Sequence, residues 1–160
     1  MRLAASAPHN LPWSKEVSGM PEGRGGSSRV AIELQARGPA ESLVELLAPY
    51  PNQVPCQCLT AHEPTACLLG GLLSVLGRYD EAEQQLEKAL RMSARANMRY
   101  SEAQTRLAWG RMLAGRLGDR ARSEGSAERW LLESRDIART RSYGAIERRA
   151  QSALDRLQGA

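Results

Sequence analysis

The residues best placed to do chemistry in this 160-residue chain are Cys56-x-Cys58-x3-His62-x4-Cys67. Four soft ligands within twelve residues match the number and type that tetrahedral zinc takes. The spacing argues against it. One residue between Cys56 and Cys58 is fewer than the two to four that let a loop wrap around structural zinc. Cys67 also falls where a helix needs a small buried residue. A Cys58/His62 nucleophile pair would need an orienting acid, and Glu63 is the only one at hand. Ordinary loop and core cysteines are therefore expected, with no metal, no cofactor and no catalytic residue. Phosphate chemistry is equally unsupported: Gly23-Arg24-Gly25-Gly26 has no following lysine, and G-x-x-x-x-G-K-[ST] occurs nowhere.

The second group is basic. Residues 1–90 carry seven Lys/Arg against ten Asp/Glu, a net of −3, while residues 91–160 carry fifteen Arg against eight acids, a net of +7. Arginine pairs well with phosphate and carboxylate, so the basic half suits an anionic partner. Its plainer reading is a set of solvated helix faces. Arg91, Arg95, Arg99, Arg106 and Arg111 nearly form a stripe on adjoining helices. No aromatic platform is interleaved with them, so an acidic protein ranks ahead of RNA or DNA.

These side chains must be carried by helices. Apolar residues make up 42% of the chain but aromatics only 4%, with no Phe, so the core is mostly Leu and Ala. That composition suits closely packed helices and predicts an all-α fold. No stretch approaches the ~20 apolar residues that span a bilayer. MRLAASAPHNLPW has no apolar run of signal-peptide type, and the odd cysteine count does not form a disulfide framework, so a reducing cytoplasm is expected.

Residues 1–30 hold Pro8, Pro12, Pro21, Gly19, Gly23, Gly25, Gly26 and five serines, with Trp13 the only large apolar anchor. The segment 1–38 is expected to be disordered or loosely ordered, and 39–160 to form the domain. Val30, Ile32 and Leu34 alternate as in a strand, but Gly38-Pro39 follows at once. Leu43, Val44, Leu46 and Leu47 form the expected buried side of a helix over 40–48, and a four-proline loop runs from Pro49 to Pro64. Apolar spacing then predicts helices at about 65–76, 79–96, 99–115, 126–140 and 143–157. Gly77 is the glycine expected to close the first of these. Trp109, Trp130, Tyr79, Tyr100 and Tyr143 are expected to fill gaps between helices rather than line a ligand groove.

The helices repeat. Gly77-x4-Ala82-x3-Leu86-x2-Ala89 recurs as Gly125-x-Ala127-x3-Leu131-x2-Ser134. Ala82 to Ala127 is 45 residues, and pairing Gly70 with Ala108 gives 38, so two helix pairs of unequal length are the parse. Leu69, Gly70, Leu73, Gly77, Tyr79, Ala82, Leu86 and Ala89 resemble the tetratricopeptide repeat. The second unit agrees at Leu107, Ala108, Ala127 and Leu131, while Ser134 replaces the usual alanine and the repeat-ending proline is absent at Ala94. Residues 40–157, including the Gly118-Asp119-Arg120-Ala121 turn, are also similar to the helical C-terminal region of bacterial AAA or STAND-type signalling ATPases, some linked to adenylate cyclases or LuxR-type domains.

The resemblance implies a short antiparallel helical array of about two repeats plus flanking helices, acting as a protein–protein interaction scaffold in a bacterial signalling regulator. Its expected partner is a protein or peptide, acidic by preference, with an ATPase or cyclase module and self-association as further options. By family analogy Arg99, Glu102, Arg106 and Arg111 are the partner-binding residues. The alternative is a DNA-binding regulator that uses the basic C-terminal half. Two repeats are fewer than the three or more that usually stand alone, so marginal stability, dimerisation or attachment to an ATPase is expected.

Overall fold

The computed structural model describes residues 24–54, 56–57, 60–61, 63–118 and 124–159. Seven helices account for most of them: α1 (Arg24–Glu33), α2 (Arg37–Leu47), α3 (Thr65–Val75), α4 (Tyr79–Arg95), α5 (Arg99–Leu117), α6 (Ser126–Thr140) and α7 (Gly144–Gly159). Between α2 and α3 lies a minimal hairpin, β1 (Cys56–Gln57) paired antiparallel with β2 (Thr60–Ala61) in the register Cys56↔Ala61. The protein is all-α in class. No helix among the described residues is long and apolar enough to cross a membrane.

From α3 onward each helix packs on the next, and α3 also touches α5, as α5 touches α7. Helices α4 and α6 make no close approach to each other among the described residues. Helix α3 explains the centre of this arrangement. Its sequence, TACLLGGLLSV, has no polar face, and every residue but Ser74 is buried, as a helix surrounded on all sides requires. By contrast α4 carries one narrow stripe, with Ala82, Leu86, Ala89 and Ser93 buried and its charged residues outside.

The repeat is visible in side-chain contacts. A Cβ on Gly70 would stand 2.5 Å from Leu86 Cγ and 3.2 Å from the Ala82 carbonyl oxygen. A Cβ on Gly110 would stand 2.6 Å from Leu131 Cγ and 3.1 Å from the Ala127 carbonyl oxygen. Glycine is needed at both points because the facing helix comes too close for any side chain. Gly70 therefore corresponds to Gly110, forty residues on, and not to Ala108 as the sequence pairing had it. Ser134, the departure from alanine, is fully buried, and its hydroxyl donates to the Ala103 carbonyl at 2.8 Å, so the polar atom is satisfied across the α5–α6 contact.

Four helices end in the same way. The residue after the αL position donates back to a carbonyl five residues earlier: Ala36 to Ala31, Arg78 to Leu73, Met98 to Ser93 and Tyr143 to Ala138. The left-handed residues are Gln35, Gly77, Asn97 and Ser142. Gly77 and Asn97 are residue types that take αL readily, whereas Gln35 and Ser142 adopt it against their side-chain preference.

Of the segment 1–38, residues 1–23 lie outside the described residues. Residues 24–33 form α1 rather than the strand suggested by Val30, Ile32 and Leu34. Tertiary contact overrides weak propensity here: Ser28 and Ala31 are buried, and Ile32 packs into the space left by Gly71 on α3. Leu46, placed on the buried side of α2, is instead 42% exposed. Pro39 does not delay α2, because it sits in the first turn, where its missing N–H has no helical acceptor.

Candidate interaction groove

Helix α1 packs on α2 and α3 and reaches α5 through its side chains, and a groove of about 140 Å³ lies beside its Arg29, Ile32 and Glu33. The groove floor is apolar: Leu68 and Gly71 from α3, Leu107, Ala108 and Met112 from α5, and the ring of Tyr79. Its rim is charged, with Arg29 and Glu33 from α1, Glu63 just before α3, Arg111 from α5 and Arg149 from α7.

At one end the Arg29 guanidinium donates to Glu63, whose residue is 3% exposed. In the amide orientation its surroundings require, the Gln104 oxygen accepts from both terminal nitrogens of Arg29, at 2.7 and 3.0 Å. Burial works against the Arg29 charge, but the hydrogen bond and charge of Glu63, with Tyr100 adding to them, hold the guanidinium above its ordinary value. At the other end Glu33 accepts from Arg111 at 2.8 Å and lies 3.8 Å from Arg149. Between these polar ends Ile32 fills the notch at Gly71, where a Cβ would meet Ile32 Cδ1 at 2.6 Å.

The four residues assigned to partner binding fall on two sides of α5. Arg111 lines the groove. Arg99, Glu102 and Arg106 lie roughly 120–180° around the helix from it, at 3.6 residues per turn. There Glu102 accepts from Arg99 at 2.8 Å and from Arg106 at 2.9 Å, and Arg106 also pairs with Glu133 on α6. Arg106 stands 5.4 Å from the ring centroid of Trp130, which stacks on Trp109 at 4.5 Å and 4° between planes. Burial disfavours the Glu102 charge, yet the two arginines outweigh it and hold the carboxyl below its ordinary value. This network joins α5 to α6.

Of the basic stripe, Arg91, Arg99, Arg106 and Arg111 each hold a carboxylate of this chain, while no such pair forms at Arg95 among the described residues. Of the Cys/His cluster, Cys58 and His62 lie outside the described residues. Cys67 is buried, and burial followed by the nearby Glu63 charge pushes its thiol up to about 12. A thiol so protonated is neither nucleophile nor ready ligand. Among the described residues no group of His, Cys, Asp and Glu is arranged to hold a metal ion.

Arg29, Glu33, Glu63, Gly71, Gln104 and Arg149 were not recognised as groove residues from the sequence. Their one legible signal was the small residue Gly71 in an otherwise leucine-rich helix; the rest depends on α1 folding back. No protein-family model, curated protein or solved structure matches the chain.

Proposed function

We propose that this chain is a protein–protein interaction scaffold of tetratricopeptide type, which receives a partner segment on the face formed by α3, α5 and α7. The observation carrying this reading is that a segment of the chain, α1, already sits on that face through one apolar notch and two charged clamps. Two helix pairs with the same glycine-to-leucine contact support a short solenoid. Contact between α3 and α5 and between α5 and α7, with none between α4 and α6, favours curvature toward the odd-numbered row.

A scaffold of this kind needs no catalytic group. The resemblance to bacterial signalling ATPases makes an ATPase or cyclase module in the cytoplasm the partner to look for, although a fold of this type names no partner by itself. DNA binding is less favoured, because Arg99, Arg106 and Arg111 of the basic half are already paired with carboxylates of this chain.

Panning a displayed peptide library against the full chain tests the proposal. Enriched peptides should bind in calorimetry and lose at least about tenfold in affinity with Arg111→Glu, since the change removes a charged contact and puts a like charge in its place. No enrichment, or binding indifferent to Arg111→Glu, would overturn it. A salt-sensitive DNA mobility shift would favour the regulator alternative.

A further inference from the structure

We propose that α1 is an internal stand-in for the partner, and that the groove takes a helical segment carrying a cation, a branched apolar residue three positions later and an acid immediately after it. This rests on the scaffold reading and specifies its ligand. Arg29, Ile32 and Glu33 stand at i, i+3 and i+4, so one helical face presents all three. Each has a separate receptor: Glu63 with Gln104, the Gly71 notch, and Arg111 with Arg149.

The pattern is more selective than acidity. A purely acidic peptide satisfies Arg111 and Arg149 but leaves Glu63 buried without a cation, the costly way to break a buried pair. The cation–apolar–acid order therefore refines the acidic partner expected from the arginine content. It also fixes polarity, since reversing the segment places like charges against each other at both ends.

Helix α1 is built to be displaced. Gly25, Gly26, Ser27 and Ser28 give its first half poor helix propensity. Its first turn has no acid and its last turn no base, and Glu33 stands at the end where the helix dipole disfavours negative charge. Its outward side shows Val30 and Leu34, 57% and 72% exposed, so little buries it from behind. The groove of about 140 Å³ left beside Ile32 gives a larger apolar side chain room that α1 does not use. The Arg29–Glu63 and Glu33–Arg111 pairs hold α1 in place, and tethering reinforces them: the turn at 34–36 is short, and short flexible links give effective concentrations on the order of millimolar.

The probe is a fluorescent peptide of residues 24–36 with Gly25→Ala and Gly26→Ala. It is titrated into the full chain and into a full chain opened by Ile32→Asp with Glu33→Ala. The opened chain should bind at least tenfold more tightly, and adding Arg111→Glu to it should abolish the gain. A peptide carrying Glu33→Arg should recover part of that loss on the Arg111→Glu chain, a reversal that a general loss of structure would not produce. Because the opened chain could be unstable, hydrogen exchange is followed in the unaltered chain with millimolar unlabelled peptide, where amides of 27–36 should exchange faster. Equal binding by the opened and unaltered chains, or unchanged exchange at 27–36, would overturn the proposal. If panned peptides still bind through Arg111 in that case, the scaffold reading survives without the stand-in; if they also fail, both fall.

Discussion

Arg29 on α1 donates to Glu63, thirty-four residues away at the approach to α3, and so locks the poorest helix of the chain onto its most buried one. The carboxylate is almost inaccessible to water while the guanidinium keeps some contact with it. Their loss is therefore asymmetric. Arg29→Ala strands the Glu63 charge and should cost about 2–4 kcal/mol in urea unfolding, toward the lower end because solvent reaches the vacated site. The double change Arg29→Met with Glu63→Gln removes both charges and should recover most of that loss. If the double variant is as unstable as Arg29→Ala, the pair does not act through its charge.

The paired glycines make a sharper test of the repeat. Gly70→Ala and Gly110→Ala would each gain about 1 kcal/mol of helix propensity, but the new methyl meets a leucine Cγ at 2.5 or 2.6 Å. Overpacking of that kind costs about 1–3 kcal/mol, so both should be net destabilising, and by similar amounts because the two contacts are alike. Gly38→Ala meets no tertiary neighbour within 4 Å of its Cβ, but Pro39 crowds a helical Cβ at that position, so it should change stability by less than about 1 kcal/mol either way. Urea midpoints for the three variants decide this. A large difference between Gly70→Ala and Gly110→Ala would argue that the two units are not equivalent.

These glycines also show what the sequence could and could not convey. Ala82, Leu86, Ala89 and Ser93 on α4 and Ala127, Leu131, Ser134 and Ala138 on α6 are buried at matching positions, and that periodicity is plain in the residues. Helix α6 falls at 126–140 as expected because a glycine precedes it and its stripe is narrow. Helix α1 was illegible for the opposite reason. The glycines and serines of RGGSSRVAIE disfavour a helix, and its order comes from packing on α2 and α3 and from Glu63, 34 positions away. The groove was hidden with it: Arg111 could be named, but its partner Glu33 lies 78 residues away. Arg99, Glu102 and Arg106 shared a face in the sequence, yet only the position of α6 shows that Glu133 and Trp130 occupy it.

Cys67 offers a probe of opening at the α3 centre. With its thiol pushed up to about 12 by burial, the reactive thiolate is scarce at pH 8 in the folded chain and abundant once the residue meets water. In a chain carrying Cys56→Ser and Cys58→Ser, labelling by an aromatic disulfide reagent at pH 8 should be slow and should accelerate with urea in step with loss of helical circular dichroism. Fast labelling in the absence of urea would mean that α3 opens locally, against its complete burial.

Acid sensitivity should centre on Glu102. Arg106 and Arg99 hold its carboxyl below the ordinary 4.5, so the folded chain binds this proton less readily than the unfolded chain. Its contribution to stability is therefore complete above the unfolded value and fades as pH falls through the lower folded value. Urea stability should decline below about pH 5, and Glu102→Gln should flatten that decline while lowering stability near neutrality by about 1–3 kcal/mol, since the amide cannot replace a charge-assisted pair to two arginines. Arg106 would keep Glu133 in the variant, which limits the loss and leaves the α5–α6 contact in place. An acid slope identical in the two proteins would show that the Arg99–Glu102–Arg106 network does not set the acid limit of this fold.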